Sequence, residues 1–240
     1  MKKVFLLFMS VAALMSCSKD DKPNDPSPEN CSLVSLKSGY TDVSISYDQN
    51  GKVSKIVDNS EGNDYRVTFE FQYASNKIMA KRTQLNKGQS TTESVDYIID
   101  NSGKVISSTN GWTINYNPAG YVTEMKMGQL TDQFTYSNDN LVMIKTIYGS
   151  YTGINNIEYE TNEAYVPFTI DSESLGDVEM KVLYEQGYFG KKPKNRIKSS
   201  TEDKEVTSFT YEKDSKGKVV KISAKEDGET DNLFLEYFCK

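Results

Sequence analysis

From residue 31 onward apolar and polar residues alternate in short runs. Val43, Ile45 and Tyr47 form one, Val67, Phe69, Phe71 and Tyr73 another, Phe209 and Tyr211 a third. This is the period of a strand with one buried face. Between the runs a phrase returns. Tyr47-Asp48-Gln49-Asn50-Gly51-Lys52-Val53, with Ile56 beyond it, is its clearest copy. Ile99-Asp100-Asn101-Ser102-Gly103-Lys104-Val105 and Tyr116-Asn117-Pro118-Ala119-Gly120-Tyr121-Val122 repeat it. After Tyr136, Asn140 stands where the others have glycine, and after Tyr211 the glycine, Gly217, comes two residues late, which predicts a longer turn. Looser copies surround Tyr73, Tyr159 and Tyr237. Asp or Asn opens each turn, and Gly or Asn supplies the positive φ that closes it. Each unit therefore predicts a β-hairpin, and the series predicts an all-β antiparallel meander. The tyrosines are expected to be structural, with rings over the sheet and hydroxyls at its wet rim. Helix is scarce: only residues 169–177, with Asp171 or Ser172 as cap, predict a turn or two.

The N-terminus breaks the alternation. Lys2 and Lys3 precede an apolar run over residues 4–13 that is too short to span a bilayer, and small Ser16 precedes Cys17. This is the pattern of a bacterial lipoprotein signal, cleaved to leave Cys17 acylated as the new N-terminus. Several acyl chains would hold the protein firmly, each buried methylene adding about 0.8 kcal/mol. Residues 22–30 hold Pro23, Pro26 and Pro28 and no apolar residue, so they cannot build a core. The expected organisation is a signal peptide over 1–16, a lipid anchor and flexible spacer over 17–30, and an antiparallel β domain over 31–240. Ser18 resembles the outer-membrane class of lipoproteins. Ser18, Lys19, Asp20 and Asp21 together look like the surface-export signal of Bacteroidota lipoproteins. The expected location is the outer membrane, lipid-anchored at the cell surface, with a periplasm-facing anchor as the alternative.

Composition narrows the chemistry. Loss of Lys2 and Lys3 with the signal takes the formal charge from −6 to −8, which argues against nucleic acid and against peripheral binding to anionic lipid. One basic cluster, Lys191, Lys192, Lys194, Arg196 and Lys198, reads as a solvated loop or as an anionic-ligand contact. There is no histidine, which excludes Ser-His-Asp and Cys-His catalysis and histidine-ligated metal sites. Asp48 to Gly51 lacks the later acids of a calcium loop. No cofactor is expected. Cys31 and Cys239 read either as a disulfide, given the oxidising envelope, or as two separately buried thiols.

The repeated phrase resembles the tyrosine–aspartate repeats of secreted shell-forming proteins. Taken with the Cys17 signal, the Ser18–Asp21 tail and the segment from Gly187-Tyr188-Phe189-Gly190 to Pro193-Lys194-Asn195, the whole chain resembles Bacteroidota lipoproteins of the domain-of-unknown-function family 4595, described as having a porin-like fold. That resemblance implies a single large, strongly curved antiparallel sheet, open or nearly closed and barrel-like. It carries no known activity. Charge on both faces of the strands, as from Lys216 to Lys225, leaves no lipid-facing band and predicts a soluble rather than membrane-spanning barrel.

The leading functional expectation is a monomeric, non-catalytic binding or scaffold module for a glycan, peptide or protein ligand. Trp112, after Gly111 at a strand start, is the candidate ligand contact, set against a packing role. An accessory subunit of an outer-membrane assembly is the alternative, docking by strand addition at a free edge over residues 233–238. A carboxylate-based hydrolase is a third, drawing on Glu158 and Glu160, Asp171 and Glu173, or Glu202 and Asp203.

Overall fold

The structure, a computed structural model, describes residues 31–62, 64–170 and 175–239. Its strands are β1 (Cys31–Lys37), β2 (Asp42–Tyr47), β3 (Val53–Asp58), β4 (Tyr65–Tyr73), β5 (Lys77–Asn86), β6 (Gln89–Ile99), β7 (Val105–Ser108) and β8 (Thr113–Tyr116). Next come β9 (Val122–Met127), β10 (Leu130–Ser137), β11 (Asn140–Tyr148), β12 (Tyr151–Ala164), β13 (Asn195–Glu202), β14 (Glu205–Lys213), β15 (Val219–Glu226) and β16 (Glu229–Cys239). They follow one another in chain order around a closed barrel, every neighbouring pair antiparallel. β16 closes on β1 with Cys31 opposite Cys239, and the two are joined by a disulfide. The sheet is thus neither open nor nearly closed but complete. β16 pairs with β15 through residues 229–234 and with β1 through residues 234–239, so it lies within the closed sheet and is not the free edge expected over residues 233–238.

The end of the barrel that holds Cys31 and Cys239 is called here the near end, and the opposite one the far end. Odd strands run away from the near end and even strands return to it, so the repeated turns all gather there. Each is built alike. At Asp48 the carboxylate Oδ1 accepts the N–H groups of Asn50 and Lys52 at 2.8 and 2.9 Å, while Asp48 N–H donates to Lys52 O. Gly51, at φ +77°, closes the loop. Asp100 and Asp214 make the same bonds. Asn117 does so in part, through Tyr121. The Gly217 turn is therefore the same size as the others; the two extra residues, Glu212 and Lys213, lengthen β14 instead. The Asn140 copy differs more. Asn138 and Asp139 carry the positive φ in a two-residue turn, and Asn140 is a buried strand residue bonded to Asn195.

The repeat tyrosines act as latches. The hydroxyls of Tyr47, Tyr73, Tyr116 and Tyr211 donate to the carbonyls of Leu33, Val53, Val105 and Ile197 at 2.6–2.7 Å. Each acceptor lies on the strand before. Basic groups from the turns cover the rings: Lys52 over Tyr73, Lys104 over Tyr116 and Lys218 over Tyr237.

The barrel is filled. Along each strand the buried positions are apolar, such as Val43, Ile45, Ile56, Phe69, Phe71 and Ile78, while the alternate positions Ser44, Ser46, Arg66, Glu70 and Gln72 are exposed. The buried face packs against the connection from β12 to β13, which leaves and re-enters the wall at the near end and carries the helix α1 (Val178–Glu185). Val166, Ile170, Leu175, Met180, Leu183 and Phe189 of this plug belong to the same core as the strands. Gln186 fixes its base by accepting from Val53 N–H and donating to Gly51 O, each at 3.0 Å. Val105 N–H donates to Tyr188 O and Lys191 N–H to Gly120 O. Gly190 is required there: a Cβ on it would lie 2.3 Å from Gly120 O, and its φ is +80°. The helix starts one residue beyond the expected span, with Asp177 at its cap position making no side-chain cap bond. Asp171 and Ser172 lie outside the described residues. Because Glu179, Met180, Val182, Leu183 and Tyr184 are buried on successive sides of the helix, its sequence shows no amphipathic stripe.

Candidate functional site

At the far end the plug stops short of the rim. Two adjoining cavities lie between it and the barrel wall, of about 340 and 660 Å³, and Phe168 and Lys181 of the plug line both. The smaller one is walled by β1 to β5, Leu233 of β16 and the start of α1, the larger by β12 to β15. Together they form a cup that opens away from the end at which Cys31 enters the barrel.

The cup is predominantly acidic. Glu202, Asp203, Glu205 and Glu226 line the larger cavity, and Asp58, Glu61, Asp177 and Glu179 the smaller. Arg82 and Lys181 are the basic residues of the two linings, and Arg82 is engaged by Glu93 at 2.9 Å. Glu179 lies deepest, only 6% exposed. Its Oε1 accepts the Tyr97 hydroxyl at 3.2 Å, and its Oε2 has no hydrogen-bond partner. Burial, and secondarily the charge of Asp177, push its carboxyl up to about 8, against the opposing pull of the helix N–H, Tyr97 and Arg82. Burial, together with Glu179, holds the Tyr97 hydroxyl well above its ordinary value.

Glu185 organises the plug beneath the cup. Its Oε1 accepts the Tyr165 hydroxyl at 2.6 Å and Phe168 N–H at 3.1 Å, while its Oε2 pairs with Lys192 at 3.1 Å. These bonds clamp the two legs of the plug together and hold Phe168 at φ +62°, a costly conformation for a bulky side chain. Phe168 is thereby fixed as the partition shared by the two cavities.

The residues singled out from the sequence fall mostly elsewhere. Trp112 is 5% exposed and part of the core, with its backbone N–H donating to Ser108 Oγ, so its ring packs inside rather than standing at the rim. A strand-start residue after a glycine can face either way, and here it faces in. Glu158 pairs with Lys198 and Glu160 with Arg196 on the wall, away from the cup. Asp171 and Glu173 lie outside the described residues; Glu202 and Asp203 do reach the larger cavity. The basic cluster is largely occupied: Lys191 covers Tyr121, Lys192 pairs with Glu185, and Arg196 pairs with Glu160 and Glu163 and covers Tyr211. Cys31 and Cys239 are bridged rather than separate thiols. Cys17 and the Ser18, Lys19, Asp20, Asp21 stretch lie outside the described residues. No described group of three or more histidine, cysteine or acidic residues could hold a metal ion. The sequence reading missed Glu179 and the cup altogether; Asp177 and Lys181 stand on either side of Glu179 in the chain, so nothing local marked it out.

No protein-family model matches the chain, and no curated protein does. Solved structures do. A porin-like protein from Bacteroides uniformis superimposes with a TM-score of 0.58 at 16% identity, over 88% of this chain and 98% of that one. A porin-like protein from Bacteroides vulgatus gives 0.59 at 11% identity, over 86% and 98%. At such identities the likeness shows the fold: this is an all-β barrel of the porin-like class. No helix among the described residues is long and apolar enough to cross a membrane, which says nothing of the strands.

Proposed function

We propose that the chain is a lipid-anchored outer-membrane lipoprotein whose plugged barrel serves as a non-catalytic binding module, with the far-end cup as its ligand site. One observation carries this reading: the plug packs the lumen with apolar side chains yet leaves at the far end an open, acid-lined cup whose cavities, about 340 and 660 Å³, exceed the 240 and 290 Å³ hollows around Tyr237 at the near end. A spacer over residues 17–30 would join the barrel at Cys31, on the near end, opposite the cup. The distribution of residues supports a soluble barrel. A membrane-spanning barrel turns an apolar band outward and keeps a polar interior, whereas here the interior is apolar and the outer wall carries Arg66, Glu70, Gln72 and Gln133. Closure of the sheet leaves strand addition without an edge, which favours ligand binding over docking into an assembly. The absence of histidine and the pairing of Glu158 and Glu160 with basic neighbours favour a role without catalysis.

Amide chemical-shift mapping of the purified protein against mixtures of small polar metabolites, amines, sugars and short peptides tests the proposal. Shifts gathered on Tyr65, Phe168, Lys181 and Glu202 are expected. Ligands that perturb only the outer wall or the near end, or no ligand at all, would overturn it.

A further inference from the structure

Glu179 is out of keeping with the plug that carries it. A carboxylate in the first turn of a helix gains from the helix N-terminus, but that gain needs no burial. Glu179 is nonetheless 6% exposed, lines the 340 Å³ cavity and leaves Oε2 without a partner. An unmatched buried oxygen of this kind costs about 1–3 kcal/mol, more when charged, so an apolar residue would suit the plug better if the cavity took nothing. The walls above it are apolar and aromatic, with Val43, Val67 and Phe69 alongside Tyr65, and the mouth adds Asp58, Glu61 and Asp177. Arg82 is drawn toward Glu93.

We infer that this cavity binds an organic cation, a primary ammonium or guanidinium carried on an aliphatic arm, with its charged head at the Glu179 carboxyl and its arm along Val43, Val67 and Phe69. The inference rests on the binding-module reading and names the ligand class for its site. Each feature fits. The head supplies the donor that Oε2 lacks, the acids at the mouth attract the charge, and the apolar wall suits methylenes and the aromatic rings a cation. A bare metal ion would gain nothing from that wall.

The groups facing Glu179 are Tyr97 on β6, Arg82 on β5, Asp58 on β3, Glu61 beyond it, and Asp177 and Lys181 beside it on the plug. Among them its own carboxyl is the one held up to about 8, so a cation that binds at pH 7 must drive off a proton. Aliphatic amines stay charged to about pH 10. Calorimetry of the full mature protein with pentane-1,5-diamine, agmatine and pentan-1-ol, in two buffers of different ionisation enthalpy, reads this directly. The amines are expected to bind and the alcohol not, with proton release at pH 7. Affinity should tighten up to about tenfold per pH unit between 6 and 8. Glu179→Gln, which keeps the shape of the protonated acid, should weaken amine binding about tenfold or more and abolish the proton release. Amines that bind no better than the alcohol, binding without proton release, or an unchanged affinity in Glu179→Gln would overturn the inference. If amines fail while another ligand maps to the cup, the ligand class falls and the binding-module reading stands; if the cup takes nothing, both fall.

Discussion

Glutamine in place of Glu179 should make the barrel more stable than the wild type at pH 8.5 and change little at pH 4.5. The acid is held up to about 8 in the fold, whereas in the unfolded chain it titrates near 4.5. Between those values the unfolded state loses the proton and the folded state keeps it. The contribution of Glu179 is therefore fully present below about pH 4.5 and lost as pH rises toward 8. Each unit of separation is worth about 1.4 kcal/mol, so the loss reaches at most about 5 kcal/mol. An amide does not titrate, keeps the Tyr97 bond and escapes this loss. Urea denaturation of the oxidised protein, wild type and Glu179→Gln, at half-unit steps from pH 4.5 to 8.5 gives the difference directly. Taking the difference at each pH cancels the other carboxylates, of which Asp48, Asp100 and Asp214 are held low by backbone N–H groups and favour folding above about pH 4. A pH-independent difference, or a variant less stable than wild type at pH 8.5, would show that the fold does not hold Glu179 protonated.

Other substitutions probe the frame that holds the cup. Tyr73→Phe and Tyr116→Phe each leave a near-end carbonyl without its donor and should cost about 1–2 kcal/mol in urea, whereas Tyr148→Phe, at 61% exposed, should be neutral. Removing the bridge with Cys31→Ser and Cys239→Ser frees a loop of 208 residues and should cost up to about 5 kcal/mol on the chain-entropy account, with the barrel still folded at 25 °C. Gly190→Ala meets both a forbidden φ and the Gly120 carbonyl; a loss of about 2 kcal/mol or more in urea is expected, with amide exchange fastest in the plug.

What could be read from the chain alone was whatever is local. The Tyr–Asp–Gly phrase encodes a hairpin within a dozen residues, because a carboxylate accepting two N–H groups and a glycine at positive φ suffice to turn the chain. The pairing of Cys31 with Cys239 could be read as well, since both stand at the ends of the domain. Closure could not, because it depends on the cumulative curvature of sixteen strands and the register of the last on the first. Nor could the roles of Asn140 and Trp112. One residue of slip decides whether a side chain turns or packs, and only the partner strand reveals it. The plug was the largest omission. A helix enclosed by a barrel buries residues on successive sides, so the usual periodic signal is missing, and Glu179 looks like any solvated acid until the wall around it is known.

On the proposed function, lipid alone holds the barrel at the membrane and the cup stands in water. Exchanging residues 1–17 for an ordinary cleavable secretory signal, with Ser18 as the first mature residue, separates the anchor from the domain. Fractionation of expressing cells is predicted to move the protein from the membrane to the aqueous fraction, where it is a detergent-free monomer with the Cys31–Cys239 bridge intact. Retention in the membrane after an alkaline carbonate wash, with release only by detergent, would contradict the account and mark the strands themselves as the membrane anchor.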